Sequence, residues 1–578
     1  MTRLFNDPTA FADELVAGFV AANRDRVRAV PGGVARATAS EPGSVALVIG
    51  GGSGHYPAFG GLVGVGLAHG AAMGNVFASP STQQVVSVAR AASNGGGVLL
   101  SYGNYAGDVL NFDAAEAQLN AEGIPTRTVR VTDDISSAPA SERRRRRGIA
   151  GDLAVFKIAG AAAEAGYELD EVARVAELAN ERTRSFGVAF TGCTLPGASE
   201  PLFTVPAGRM ALGLGIHGEP GIGETDVPTA DGLAGILVEQ LLGELPDGVD
   251  SAAGRPVVPI LNGLGSVKYE ELFVVYAGIA RRLAEAGVEV VAPEVGEFCT
   301  SFDMAGASLT LFWLDDELAE LWSAPADAPA FRTGAVAPRE LVSVGETVET
   351  SSGAVMAPAS EESREAAPHV VQAIDAIAAV IDAHVEELGR IDAVAGDGDH
   401  GIGMQRGSRA AAAAARAATE AGAGAGTVLL RAGDAWADRA GGTSGALWGV
   451  MLRALGSRIG DEHAPDPTAV AEGCRDALAG IRSHGKAEVG DKTMVDAIVP
   501  FVDTLTERVA AGEDLTRAWN AAAGVATTAA AATAELLPRM GRARPHAEKS
   551  LGTPDAGAHS FALIATAVAA TLPRKDTP

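Results

Sequence analysis

Three carboxylates, Asp392, Asp397 and Asp399, crowd into the segment Ile391-Asp-Ala-Val-Ala-Gly-Asp-Gly-Asp-His-Gly401, just before a long Ala-rich helical stretch. Ionised carboxylates so close together repel unless a cation or hydrogen-bond donors offset the repulsion, and hard oxygen ligands suit Mg²⁺ or Ca²⁺. The same residues also make an ordinary turn or a helix N-cap. Further glycine-rich turns follow in the same half of the chain: Gly441-Gly-Thr-Ser-Gly445, Gly490-Asp-Lys-Thr-Met494 and Gly541-Arg-Ala543.

The first half carries other reactive side chains. Ile49-Gly-Gly-Gly-Ser-Gly-His55 follows an apolar run and can bring backbone N–H groups close to a polar ligand. It lacks the lysine of a nucleotide P-loop, no Gly-x-x-x-x-Gly-Lys-Ser/Thr occurs elsewhere, and His-Arg-Asp and Asp-Phe-Gly are both absent. Gly213-Leu-Gly-Ile-His-Gly218 matches the dinucleotide pattern formally, but Glu219-Pro-Gly221 interrupts the helix that should follow. His217 is a nucleophile candidate or a satisfied polar group in a turn. Asp108, after Tyr102-Gly-Asn-Tyr-Ala-Gly107, is an acid or base candidate or the cap of the helix that follows.

Elements to position these groups are legible. At 578 residues the chain is too long for one core and should hold two to four domains. A net charge of −27 disfavours nucleic acid and anionic membrane surfaces as partners. Cys193, Cys299 and Cys474 are far apart without CxxC spacing, which points to a reducing cytoplasm rather than disulfides or structural zinc. Acidic residues interrupt the N-terminal segment as a signal peptide, and no long run rich in large apolar residues marks a membrane span.

Short apolar runs at 44–50, 97–102, 126–131, 257–261 and 288–292 alternate with helical patterns, which predicts an α/β half with largely parallel sheets. We assign residues 1–325 to this half, as two lobes meeting near 185–200. Residues 326–367, rich in Ala, Pro, Ser, Glu and Thr, read as a linker with a strand or two embedded. Residues 368–573 form an all-α domain, with helices predicted at 369–388, 402–421, 427–439, 443–458, 467–483, 492–510, 514–537 and 557–572. The basic run Arg143 to Arg147 reads as a solvated or interface loop.

Taken in order, these motifs resemble the dihydroxyacetone kinase family in its single-chain, ATP-dependent form, over nearly the whole chain. Leu4-Phe-Asn-Asp-Pro8, Gly50 to His55, Asn104 to Asp108, Arg147-Gly-Ile-Ala-Gly151 with Lys157-Ile-Ala-Gly160, and Gly213 to Gly221 are similar to its substrate half. Asp397 to Gly401, Gly441 to Gly445 and Gly490 to Met494 are similar to its nucleotide half.

The resemblance implies an ATP-dependent ketose kinase. His217 would add to the ketone carbon as a covalent hemiaminal, which selects ketones over polyols. Asp108 would be the base, His55 would bond the sugar, and Gly52, Ser53 and Gly54 would shape its pocket. Asp392, Asp397 and Asp399 would hold two Mg²⁺ on the ATP phosphates, with His400, Thr443, Ser444, Arg542 and Asp555 against the nucleotide. The implied helical domain is an antiparallel eight-helix barrel and the implied assembly a homodimer. Other readings in the same frame are a ketose-binding regulator, a lyase that forms a cyclic phosphate from a flavin dinucleotide, and a kinase recharged by a phosphotransfer protein.

Two departures bear on substrate. Tyr56-Pro-Ala-Phe59 stands where many members have Glu-Pro-Ala-His, and Gly103 where a lysine is common. Loss of these polar groups beside the pocket implies a ketose larger than dihydroxyacetone, with erythrulose leading.

Overall fold

The computed structural model describes residues 2–337, 339–340, 358–394, 396, 398–540 and 549–572, with only the backbone described for Thr443, Ser444 and His484. The chain divides into two compact units, 1–343 and 344–578.

The first lobe of the first unit is a six-stranded sheet in the order β1-β2-β4-β3-β5-β6. Its strands are β1 (Val27–Val30), β2 (Gly33–Arg36), β3 (Ala46–Ser53), β4 (Gly70–Val76), β5 (Val98–Gly103) and β6 (Thr126–Val131). β3 runs parallel to β4 and β5, and β5 parallel to β6, while β1 and β2 form an antiparallel edge. Helices α1 (Phe11–Ala22), α2 (Thr82–Ala92), α3 (Ala106–Ala121), α4 (Asp152–Glu164) and α5 (Leu169–Glu181) surround it. Alternation along β3 feeds two cores. Ala46 and Val48 pack with residues of α2 and α3, and Leu47 and Ile49 with residues of α4 and α5. Parallel strands covered on both faces aim their C-terminal loops at one edge, where α/β sheets bind ligands.

The second lobe departs from the expected parallel sheet. Its strands are β7 (Thr183–Ala189), β8 (Arg209–Leu212), β9 (Gly223–Asp226), β10 (Pro256–Gly263), β11 (Glu289–Val290), β12 (Glu294–Gly296) and β13 (Gly306–Trp313). The order is β11-β10-β13-β7-β8-β9, and β10, β13, β7, β8 and β9 pair antiparallel in succession. Only β11 and β12 run parallel to β10. β13 enters in the middle, fully buried, and reverses the direction that strand-helix alternation suggests. Helices α6 (Ala230–Leu242) and α7 (Tyr269–Glu285) bury Leu233, Leu237, Ile279 and Leu283 against it. Helix α8 (Asp316–Ser323) closes the unit.

The expected linker is shorter than its composition suggests. A two-stranded ribbon, β14 (Ala326–Asp327) with β15 (Arg332–Thr333), packs onto the first unit: Asp327 bonds Val65 through backbone and Arg26 at 2.9 Å through its side chain, and Arg339 pairs with Glu164 at 2.7 Å. At the other end the first helix of the second unit begins at Glu361, because Ser360 caps it by accepting from the N–H of Ser363. It runs through Pro368, near which the sequence pattern places its start. Residues 341–357 lie outside the described residues.

The second unit contains, among its described residues, α9 (Glu361–Asp392), α10 (His400–Glu420), α11 (Ala425–Ala440), α12 (Gly442–Ile459), α13 (Pro467–Gly485), α14 (Val495–Ala510), α15 (Leu515–Ala532) and α16 (Ala556–Ala569). Each packs on the next, and α16 packs back on α9. By length and composition alone α9 is apolar enough to cross a membrane. Its Ile374, Ile377, Ile381 and Leu388, at helical spacing, are buried in the core of the unit. The basic run also differs from a solvated loop: Arg146 is fully buried and pairs bidentately with Glu244 at 2.6 and 2.8 Å.

Candidate active site

The glycine-rich loop after β3 and the loop after β8 bring two histidines together. His55 Nε2 lies 2.9 Å from His217 Nε2. The outer nitrogens are both engaged, His55 Nδ1 with the carbonyl of Thr300 at 2.8 Å and His217 Nδ1 with Glu219 at 3.0 Å. Glu219 also accepts from the backbone N–H of His217 at 3.0 Å and sits 3.7 Å from Arg147, which is itself paired with Asp134 at 2.7 Å. The turn that disqualifies a dinucleotide motif thus supplies the acid that orients His217.

Aromatic rings enclose the pair. Phe77 stacks on His55 with centroids 4.8 Å apart and meets His217 edge-on at 5.0 Å, and Tyr105 meets His217 at 4.9 Å. Phe77 and Phe302 both take positive φ, 51° and 46°, a strained conformation for such side chains that clusters at functional sites. Gly54, at φ 115°, has to be glycine, since a Cβ there would lie 2.7 Å from both rings.

Asp108 is the third residue of α3, at the end of β5 beside β3, and is 8% exposed. It is not the N-cap, because α3 starts two residues before it. Gly52 approaches the backbone of Phe77 and Ala78 closely. The Ser53 hydroxyl donates to Gly74 O at 2.6 Å, which ties the loop to β4. Tyr56 and Phe59, the positions read as having lost polar groups beside the pocket, place their rings against other aromatics. Phe59 is buried in the core against Phe156, and the Tyr56 ring meets Phe19 of α1. Gly103 is closed over by Gly148: a Cβ on Gly103 would stand 3.2 Å from Gly148 O.

In the second unit, Asp392 ends α9 and Asp399 precedes α10. Asp392 accepts from the N–H of Gly398, at φ 76°, at 2.8 Å. Burial and the charge of Asp392 push Asp399 up to about 7. Asp555, the N-cap of α16, is also pushed up to about 7, chiefly by burial, with Asp392 and Asp496 adding to it. His400 is buried beside Ser560 at 3.0 Å, and burial lowers its affinity for a proton. The structure therefore brings Asp392, Asp399, His400 and Asp555 into one region. Thr443 and Ser444 are in the first turn of α12, which starts at Gly442, and Gly441 and Gly442 take φ of 65° and 59°. Asp397 and Arg542 lie outside the described residues. Among the described residues no group of three or more His, Cys, Asp or Glu is placed to hold an ion. The donor set still fits a hard dication, since Asp392 raises both Asp399 and Asp555 and a cation would relieve that repulsion.

Sequence reasoning missed Thr300, Phe77, Phe302 and Asp134, and quoted Glu219, Arg147 and Tyr105 without a role. Only Glu219, two residues from His217, carried a local signal.

An α/β unit with a paired-histidine centre, joined to an all-α unit with an acidic loop, is the architecture of a two-domain phosphotransferase. The Dak1 domain model matches residues 17–330 and the DAK2 domain model residues 394–570. The chain belongs to the dihydroxyacetone kinase family. It is 62% identical to an L-erythrulose kinase of Pectobacterium atrosepticum, over 99% of this chain and 97% of the relative. It is 56% identical to a D-erythrulose kinase of Mycolicibacterium smegmatis, over 98% of each. Among solved structures it resembles the dihydroxyacetone kinase from C. freundii in complex with AMP-PNP and Mg²⁺, with TM-score 0.52, 28% identity, and coverage of 99% of this chain and 100% of that one.

Proposed function

We propose that the protein is an ATP-dependent kinase that phosphorylates a terminal hydroxyl of a short ketose, erythrulose ahead of dihydroxyacetone, while the ketose is held as a hemiaminal on His217. The observation that carries this reading is the contact between His55 and His217. Thr300 O accepts from His55 Nδ1–H, and Glu219 accepts from His217 Nδ1–H. Two lone pairs would then face each other at 2.9 Å, so one further proton belongs between the Nε2 atoms.

That proton is used in the addition step. The Nε2 lone pair of His217 forms a bond to the ketone carbon, and the C=O π pair moves to oxygen. The proton on His55 Nε2 passes to that oxygen and gives the hemiaminal hydroxyl. Positive charge moves from His55 to the alkylated His217 ring, where Glu219 balances it. Phe77 and Tyr105 keep water from the charge and strengthen the pairing. Asp108 then accepts the proton of the terminal hydroxyl as that oxygen attacks phosphorus.

In the second unit Asp392 and Asp399, with Asp397 by sequence, would hold two Mg²⁺, and His400, Thr443, Ser444, Arg542 and Asp555 would contact ATP. Bound Mg²⁺ supplies neutralisation of phosphate charge. The eight helices, with α16 back on α9, are read as a closed antiparallel barrel. A homodimer belongs to the same reading, and so does residence in the cytoplasm, which three buried cysteines without a disulfide support.

Erythrulose preference is supported by the names of the relatives at 62% and 56% identity, which divide between the L and D forms. A coupled ADP-release assay against dihydroxyacetone, glyceraldehyde, D-erythrulose and L-erythrulose tests the reading. Higher kcat/KM for one erythrulose enantiomer is expected. Preference for dihydroxyacetone removes the substrate assignment, and silence with all four removes the kinase.

A further inference from the structure

Arg147-Gly-Ile-Ala-Gly151 and the residue after it build a second acidic group beside the end of β6. Asp133, just after β6, is fully buried and accepts from the N–H groups of Ile149 at 2.9 Å and Gly151 at 2.8 Å. Gly151 permits this approach, since a Cβ there would stand 2.5 Å from Asp133 Cγ. Asp152, the first residue of α4, is 3% exposed, and its Oδ1 is buried with no hydrogen-bond partner among the described residues.

That oxygen lies against Gly148. A Cβ on Gly148 would be 2.9 Å from Asp152 Oδ1 and 2.5 Å from Gly103 Cα. Asp152 therefore sits beneath the end of β5 that leads through Asn104 and Tyr105 to Asp108. Of the three carboxyls, Asp108 is the most exposed at 8%.

An ionised oxygen with no donor is expensive in a protein interior, whereas a protonated carboxyl tolerates the same place. Burial holds Asp152 far above the ordinary carboxylate range, with the charges of Asp133 and Asp108 adding to it. The N-terminus of α4 favours an anion there, but two carboxyls and burial oppose it. Cys299 is a thiol that burial keeps neutral. Asp133, bonded by two N–H groups, is pushed up only to about 6.

We propose that Asp152 is a positioning residue for phosphoryl transfer: it retains the proton of this carboxyl trio so that Asp108 carries the negative charge that accepts the proton of the substrate hydroxyl. The inference rests on Asp108 being the base. Ionisation of Asp152 at alkaline pH places a second charge behind Asp108 and repels the phosphoryl group, so the reaction is limited from the alkaline side.

The test is the pH profile of kcat for ketose-dependent ADP release in the parent, Asp152→Asn and Asp108→Asn. The parent should show an alkaline fall that Asp152→Asn moves up by about one pH unit or more, or abolishes. Asp152→Thr, also neutral, serves if the asparagine variant does not fold. At pH 7 an infrared difference spectrum, parent minus variant, should contain the carbonyl stretch of a protonated carboxyl. An unmoved alkaline limb, a parent without one, or a spectrum without that band overturns the proposal. Failure of the underlying reading shows differently: Asp108→Asn would then keep its kcat whatever Asp152 does.

Discussion

Replacing Glu219 by glutamine removes the group that fixes the tautomer of His217 while keeping its shape. The carboxylate accepts from the ring Nδ1–H and from the backbone N–H of the same residue, both at 3.0 Å, with Arg147 at 3.7 Å. Glutamine offers one acceptor oxygen for these two donors and turns an N–H toward the other. A hydrogen bond to a charged group is worth about 1.5 to 3 kcal/mol and a neutral one about 0.5 to 1.5. Adduct formation leaves positive charge on His217, so the lost counter-charge falls on the adduct rather than on the empty site. The net penalty is about 2 to 3 kcal/mol, or about 30- to 150-fold in the adduct equilibrium. Titrating each protein with ketose labelled with ¹³C at the carbonyl carbon measures it directly, since the tetrahedral carbon resonates far from the ketone. An adduct constant in Glu219→Gln within about twofold of the parent would refute the orienting role of this carboxylate.

Three further outcomes follow from the same geometry. Gly215→Ala places a Cβ against the Glu219 carboxylate and the Arg147 guanidinium, so it should weaken the adduct in the same direction as Glu219→Gln, read by the same titration. Asp399→Asn removes one carboxylate from the acidic loop and should lower Mg²⁺-dependent ADP release roughly 30- to 100-fold while the adduct on His217 forms normally, as judged by ¹³C NMR. Lys157 is fully buried and donates to Leu321 O at 2.8 Å, and burial pushes it down to about 8. Its folded form gives up a proton more readily than its unfolded form, so the cost of the buried charge, about 3 kcal/mol, is fully present below pH 8 and fades toward the unfolded value near 10.5. Denaturant melts of parent and Lys157→Met should therefore differ least in alkali, and a difference that does not change between pH 7 and 10 would contradict this.

The first unit was legible where chemistry and periodicity coincide. β3 and β5 are short apolar runs that end in the glycine loops that carry His55 and Asp108, so both elements and candidates could be read from the chain. β13 and β7 could not be placed, because runs buried on both faces say nothing about direction, and long-range antiparallel pairing decides it. The eight helices of the second unit were visible from their spacing, but the start of α9 was not: Ser360 and the buried Ser363 anchor it upstream of Pro368, the opposite of what a proline suggests locally. At the site, His217 was recognisable by type. Thr300 was not, since what it contributes is a backbone carbonyl to His55 from 245 residues away in sequence, and a carbonyl leaves no mark on residue identity. Phe59, at a position read as lying beside the pocket, fills the core beneath Gly51.

The central claim is that a covalent bond to His217 holds the ketose for phosphorylation. ¹³C NMR of the protein with erythrulose labelled at its carbonyl carbon tests it most directly. A tetrahedral carbon signal bound to the protein, present in the parent, absent in His217→Ala and lost together with ADP release, is the predicted result. Persistence of that signal in His217→Ala, or full ADP release without it, would contradict the account.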